Sequence, residues 1–237
     1  MVARPGICIM EQIRNYGDER QTSFCCYCGR DTGTRDHVPS KVFLDKPYPE
    51  NLPVVGTCQS CNQGYSLDEE YVACLIECAR LGVTDPNSLE REKVRKILRR
   101  KPALQSRIEQ SKFEDGEEVS FNIEYGRFKQ VLSKLVRGHA LFELNEPRLD
   151  EPDSLQFGVL GTLSEDDRRY FEQPPSTSIL PEVGSRAMQR IVVASSELIV
   201  DWLVVQPNRY RYLVSVSGMT MVRIVLSEYL WCEAIWR

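Results

Sequence analysis

Two pairs of cysteines in the N-terminal third of the chain have the spacing of metal ligands. Cys25 and Cys28 form one C-x2-C pair, and Cys58 and Cys61 form a second. Each pair can present two thiolates to one ion, and four thiolates at about 2.3 Å complete the tetrahedron of a structural zinc site. The spacing therefore predicts a structural Zn²⁺ bound by all four sulfurs.

Other uses of the cysteines stay open at this point. Cys26 could replace Cys25 as a ligand, or the cysteines could simply be buried and free. Cys74 and Cys78 lie four residues apart on a helical pattern, and we expect them in the core. Nine cysteines in 237 residues are too few for a disulfide scaffold, which needs roughly 8–10%.

A second group of polar residues lies between and just after the cysteine pairs. It consists of Asp36, His37, Asn51 and Asn62. A histidine with a pKa near 6.5 can take a proton from water at neutral pH, and carboxylate and amide oxygens suit Mg²⁺ or Mn²⁺. Four thiolates leave zinc no open position for catalysis. We therefore predict two metals, a zinc ion that holds the shape and a hard cation for phosphodiester hydrolysis.

Four short motifs together resemble the HNH endonucleases of the ββα-metal fold, in the subgroup with a four-cysteine zinc site. The motifs are Cys25-x2-Cys28, Asp36-His37-x-Pro39, Asn51-Leu52-Pro53 and Cys58-x2-Cys61-Asn62. The resemblance covers about residues 24–72. It implies strands near 34–38 and 52–57, with a helix following Cys61.

The resemblance also implies roles for the polar residues. His37 would be the general base, Asp36 and Asn62 would bind the catalytic Mg²⁺ or Mn²⁺, and Asn51 would brace the loop beside His37. The third motif residue is Asn rather than His, and Gln63-Gly64-Tyr65 follow where some members carry Lys or His. The acidic run 68–70 could add a metal ligand or merely charge the start of a helix.

The rest of the chain predicts an α+β fold. Ser66 and Glu69 have the spacing of a capping box at the start of a helix, and the apolar stripe over 128–136 predicts another helix. The polar run 112–120 is predicted to be a loop. Segments rich in β-branched and aromatic residues predict a C-terminal antiparallel meander. These segments are 198–205, 210–216, 219–226 and 229–236.

The domain organisation follows from these elements. Residues 1–23 are predicted to be a leader and 24–82 the zinc-stapled ββα-metal module. Residues 83–237 are predicted to be an α+β region for substrate selection, dimerisation or partner docking. His139 is expected to be a core histidine. The basic segment 91–101 could follow a nucleic-acid backbone or be an ordinary solvated helix face.

Composition limits the classes of protein and partner. With 42% hydrophobic and 27% charged residues, the chain is neither disordered nor collagen-like. No apolar run reaches the roughly 18 residues of a membrane span, and no signal peptide is evident, so we expect a cytoplasmic protein without a membrane partner. The net charge of −4 means that phosphate contacts need a local patch or a metal ion. Candidates for phosphate contact are Arg30, Arg35 and Lys41.

These observations predict a metal-dependent endonuclease that acts on nucleic acid, with DNA as the expected substrate. The resemblance suggests an effector of a bacterial defence or mobile-element system. One alternative is a non-catalytic zinc module that binds nucleic acid or a protein. Another is a toxin-like nuclease that stays silent until a partner subunit activates it. The expected partners besides nucleic acid are a regulatory protein or a second copy of the chain.

Overall fold

The computed structural model describes residues 8–9, 13–116, 118–177, 179–194 and 197–237. Of the predicted leader 1–23, residues 1–7 and 10–12 lie outside the described residues. Cys8–Ile9 does not stand apart from the fold, because it forms a strand that pairs with the C-terminal sheet.

The fold is mixed α and β, as predicted. The helices are α1 Gln59–Gly64, α2 Ser66–Leu81, α3 Glu92–Arg100, α4 Pro102–Ser111, α5 Tyr125–Leu144, α6 Glu165–Glu172 and α7 Arg186–Arg190. The first strands are β1 Cys8–Ile9, β2 Thr34–His37, β3 Val54–Thr57, β4 Lys112–Asp115, β5 Glu118–Phe121, β6 Ser154–Val159 and β7 Ser176–Thr177. The later strands are β8 Val192–Ala194, β9 Glu197–Ile199, β10 Leu203–Gln206, β11 Tyr210–Val216, β12 Thr220–Leu226 and β13 Leu230–Trp236. Among the described residues, no helix combines the length and the apolar character needed to cross a membrane.

The cysteine segment forms a two-stranded hairpin followed by a short helix. β2 and β3 are antiparallel, with Thr34 opposite Thr57 and His37 opposite Val54. β2 ends just before Val38-Pro39 and β3 begins just after Pro53, as expected because proline cannot donate a ladder hydrogen bond. α1 begins at Gln59, slightly earlier than the predicted start after Cys61.

α2 begins at Ser66, but without the predicted capping box. Tyr65 is the cap residue and makes no side-chain cap bond, while the Ser66 hydroxyl donates to the carbonyl of Gln63 at 3.0 Å. α1 ends at Gly64, one residue before the cap, so no extended residue precedes α2 as a capping box requires. α2 ends at Leu81, and the positive φ of 69° at its C-cap, Gly82, suits a residue without a Cβ.

The predicted meander forms most of the main sheet. The strand order is β1-β10-β11-β12-β13-β6, with β1 parallel to β10 and the other neighbours antiparallel. The predicted strand 198–205 is wrong in its extent, because β9 ends at Ile199 and β10 begins at Leu203. β9 pairs with β7 and β8 in a separate three-stranded sheet.

The predicted loop 112–120 is also wrong. β4 and β5 form a hairpin that turns at Gly116, where φ is +62°. Most of the hairpin is exposed or half-buried, so its sequence lacks the alternation of apolar residues that marks a strand with one buried face.

α5 lies at the centre of the fold and joins the cysteine segment to the sheet. One cluster of buried side chains extends from Cys25 to Trp236 and includes most apolar residues of α2 and α5. Gly138 of α5 lies against Val38, and a Cβ at this glycine would come within 2.6 Å of the Val38 side chain. Helix α5 can therefore approach the residue that follows His37 only because position 138 has no side chain.

Candidate functional site

The four cysteines predicted to bind metal come together in space. The Sγ atoms of Cys25, Cys28, Cys58 and Cys61 all lie within 4.8 Å of one another. Those of Cys28 and Cys58 are 3.7 Å apart, which matches the edge of about 3.8 Å in a tetrahedron with Zn–S bonds of 2.3 Å. This four-cysteine cluster could bind a metal ion such as zinc.

A neighbouring hydroxyl favours the thiolate at Cys58, whereas burial and the neighbouring sulfurs raise the pKa of Cys61. The Ser60 hydroxyl lies 3.2 Å from Cys58 Sγ, and its hydrogen bond lowers the pKa of Cys58 to about 6. Arg30 lies close to Cys28, and the attraction of the sulfurs raises the pKa of the guanidinium. Arg30, predicted to contact phosphate, is therefore placed where it offsets negative charge on the sulfurs.

The remaining cysteines of this region have other surroundings. Cys26 is fully buried and donates to the carbonyl of Arg137 at 3.6 Å, and burial raises the pKa of its thiol. The sulfur of Cys25, not that of Cys26, therefore belongs to the cluster. Cys74 and Cys78 are buried in α2, which confirms their predicted place in the core.

Asp36 lies on the buried face of β2. Its Oδ2 accepts a hydrogen bond from the Tyr27 hydroxyl at 2.9 Å and lies 2.8 Å from the ammonium of Lys134. Lys134 belongs to α5 and its side chain is 1% exposed. The predicted metal ligand is therefore already held by two partners through one of its oxygens, and one of these partners lies far away in the sequence.

Lys134 also holds a second carboxylate, that of Glu69. Its ammonium lies 2.5 Å from Glu69 Oε1, and Ser40 bonds to both groups, at 2.5 Å to Glu69 and 3.1 Å to Lys134. We call Tyr27, Asp36, Ser40, Glu69 and Lys134 the Lys134 cluster. It places two buried carboxylates around one ammonium, so its formal charge is negative.

His37 lies on the other face of β2, because side chains alternate along a strand. The imidazole is half-buried, and it makes no hydrogen bond within the described part of the chain. Burial lowers the pKa of His37, and Lys41 acts in the same direction while Asp36 opposes them. The ring is therefore largely neutral at pH 7 and can accept a proton.

Asn62 ties α1 to β2 next to the Asp36-His37 pair. Its Nδ2 donates to Thr34 Oγ1 at 3.1 Å and to the Arg35 carbonyl at 3.2 Å. A carbonyl can only accept, so the amide nitrogen faces β2 and Oδ1 points away from these two partners. That oxygen has the chemistry of a ligand for a hard cation.

The other predicted site residues make fewer contacts. They are Arg35, Lys41 and Asn51. Asn51 and Arg35 line a common cleft, and no described residue donates to or accepts from the side chain of Asn51. Its predicted brace on the His37 loop is thus not among the hydrogen bonds of the structure. Lys41 is exposed, with its ammonium 5.6 Å from the centre of the Tyr48 ring.

His139 is a core histidine, as predicted. Its Nε2 lies 2.8 Å from the Tyr210 hydroxyl, and its ring stacks on Tyr212 with 3.8 Å between centroids. Nδ1 has no hydrogen-bond partner among the described residues. Complete burial lowers the pKa of His139 to about 3, so this residue is neutral in the folded protein.

Comparison with known proteins adds no relative from which a function could be transferred. The chain has no significant match among models of protein families, among curated proteins or among solved structures. Functional inference therefore rests on the residues and their geometry.

Proposed function

We propose that the chain is a metal-dependent endonuclease of the HNH type that hydrolyses phosphodiester bonds of DNA. The observation that carries the proposal is the bond from Asn62 to the carbonyl of Arg35. It joins the helix after the β2–β3 hairpin to the strand that carries Asp36 and His37. The order of two strands and a helix, closed by four sulfurs, is the arrangement implied by the resemblance to HNH enzymes.

The four-cysteine cluster has a structural role in this proposal. It ties the loop at Cys25 and Cys28 to the start of α1, where Cys58 is the cap residue. Zinc on four thiolates has no open position for water or substrate. The cluster would therefore hold β2 and α1 in place without taking part in the reaction.

The oxygen donors near β2 suit a hard divalent cation. Asp36 offers a carboxylate whose Oδ1 takes part in neither the Tyr27 nor the Lys134 bond, and Asn62 offers Oδ1 of its amide. The Lys134 ammonium opposes a second cation, while the Glu69 carboxylate offsets that repulsion. When bound, Mg²⁺ or Mn²⁺ would stabilise negative charge on the leaving oxygen.

The protein's own residues would then handle the proton. His37 accepts a proton from water as the water oxygen bonds to phosphorus and the bond from phosphorus to the 3′ oxygen breaks. The 3′ oxygen takes up a proton from solvent. Lys134 and Tyr27 keep the Asp36 carboxylate in one orientation throughout, because both bond to the same oxygen.

One competing function has support from the same contacts. Asp36 is buried and already bonded twice, as in a purely structural ion pair, so the chain could be a non-catalytic zinc module. In that case the region around β2 would bind nucleic acid or a protein without cutting.

Plasmid cleavage separates these functions. The purified chain is incubated with supercoiled DNA and Mg²⁺ or Mn²⁺, beside His37→Ala and the matched core variant His139→Gln. We expect nicked or linear DNA from the wild type and His139→Gln, and a loss of about 10²–10⁴-fold in His37→Ala. Equal cleavage by wild type and His37→Ala would contradict the role of His37. Binding without cleavage, with no gain on adding a co-purifying partner, would favour the zinc module.

A further inference from the structure

A cleft of about 950 Å³ runs along the outer side of the β2–β3 hairpin. Its walls include Arg35 and Asn51 from the cysteine segment, the end of α5 at Leu141 and Phe142, and residues of α7. Arg35 and His37 lie two residues apart on the same face of β2, roughly 7 Å along the strand. The cleft therefore lies against the strand that carries the imidazole proposed as the base, although His37 itself does not line it.

The charge of this cleft is positive. Four arginines line it, Arg14, Arg35, Arg186 and Arg190, and none of the described residues that line it is acidic. Arg14 and Arg35 are exposed, and neither pairs with a described carboxylate. Arg190 is the exception, because its Nε lies 3.0 Å from the buried Glu143. Three guanidinium groups are thus left to attract an anion.

Arg186 is rigidly presented to the cleft. Its Nε and Nη1 donate to the carbonyls of Ile13 and Phe142, each at 2.9 Å, and the guanidinium lies 3.9 Å from the centre of the Phe142 ring. The carbonyl oxygens do not cancel its charge, and Glu143, which is paired with Arg190, attracts the guanidinium without forming an ion pair with it. An arginine fixed in this way can bind a phosphate with little further loss of side-chain entropy.

The basic face of α3 is the competing surface for an anion, and part of its charge is paired within the protein. Asp45 pairs with both Arg91 and Arg209, and Lys96 pairs with Glu92. Lys93 bonds to the Tyr48 hydroxyl and to backbone carbonyls. Arg95, Arg99 and Arg100 of α3 bond to carbonyl or amide oxygens, so the α3 face also keeps positive charge. The cleft is preferred because β2, the strand that carries His37, forms part of its wall.

We infer that the phosphodiester backbone of the nucleic-acid substrate runs through the cleft between the β2–β3 hairpin and α7, held by Arg14, Arg35 and Arg186. This inference rests on the proposed function and specifies the path of its substrate. The scissile phosphate lies beside His37, and neighbouring phosphates lie along the arginines. The contacts are to the backbone, so binding depends on salt more than on sequence.

Binding measured apart from cleavage tests this path. The full chain carrying His37→Ala binds a fluorescent DNA duplex, and anisotropy gives the affinity between 50 and 200 mM salt. Arg14→Gln with Arg35→Gln is compared with the matched pair Arg99→Gln and Arg100→Gln on α3, which removes the same charge from exposed positions. Loss of two phosphate contacts lowers the slope of log affinity against log salt by about 2. We expect that change, with at least tenfold weaker binding, in the cleft pair only.

Several results would overturn the inference. These are no binding by the His37→Ala chain, unchanged binding by the cleft pair, or an equal loss in the α3 pair. A separate cleavage assay with Mg²⁺ keeps the two proposals distinct. Binding through the cleft without any cleavage by wild type would defeat the nuclease proposal alone. Cleavage with unchanged binding in the cleft pair would defeat the cleft alone.

Discussion

The ammonium of Lys134 lies 2.8 Å from Oδ2 of Asp36, and both side chains are buried. This contact joins the central helix α5 to the residue that precedes the proposed base. Since Lys134 also holds Glu69, one side chain sets the positions of two carboxylates, one on β2 and one on α2. The geometry of the proposed site thus depends on a helix outside the cysteine segment.

Replacing Lys134 with Met should strongly destabilise the protein. The change leaves two buried carboxylates without their cation, a situation that costs about 3–5 kcal/mol in other proteins. Urea unfolding measures the free energy of unfolding. Lys129→Met is the matched control on the same helix, because Lys129 is half exposed and lies 3.8 Å from Glu151; we expect a loss below about 1 kcal/mol there. Similar losses in both variants would contradict the central role of Lys134.

The four-cysteine cluster should bind about one zinc ion per chain. Removing one thiolate by Cys28→Ser should lower the zinc content well below one, and a chelator should lower the melting temperature of the wild type. Elemental analysis of the purified protein measures the metal directly. Cys74→Ala is the control. Cys74 is buried in α2, outside the four-cysteine cluster, so this variant should keep its zinc. Retention of zinc by Cys28→Ser would show that the ligand set is wrong.

The buried His139 should make stability fall in acid. Its pKa is about 3 in the folded protein and near 6.5 when unfolded, so between these values the unfolded chain binds one more proton. Stability is then fully present above about pH 6.5 and falls, by up to about 1.4 kcal/mol per pH unit, as the pH drops. Urea unfolding at pH 7, 6, 5 and 4 measures how the free energy of unfolding changes with pH. In His139→Phe we expect this dependence to be weaker than in the wild type, by the amount that one proton contributes. The same pH dependence in wild type and His139→Phe would contradict the burial of a neutral imidazole at position 139.

The elements that were predicted correctly are those that depend on the spacing or composition of residues close together in the sequence. Two C-x2-C pairs specify a ligand set by spacing alone, and the four sulfurs do meet. Segments rich in β-branched and aromatic residues correctly predicted the strands from Tyr210 to Trp236. The β4–β5 hairpin was missed, because its faces are mostly exposed and its residues are polar.

The contacts that surround the candidate site were not predictable, because they are tertiary. Nothing near Lys134 in sequence indicates that it meets Asp36, since it lies beside the apolar stripe of a helix where lysines are usually solvated. Arg186 acquires its fixed orientation only from the carbonyls of Ile13 and Phe142. Such long-range partners follow from how α5 and α7 pack on the hairpin.

The fate of the water oxygen tests the central claim most directly. A DNA duplex is cleaved in ¹⁸O-labelled water with Mn²⁺ or Mg²⁺, and mass spectrometry locates the label on the product ends. If His37 directs water onto phosphorus with departure of the 3′ oxygen, the wild type gives ¹⁸O in new 5′-phosphates and leaves unlabelled 3′-hydroxyls, while His37→Ala gives at most about one hundredth of that product. Undetectable product from the wild type, or equal product from both chains, would contradict the claim.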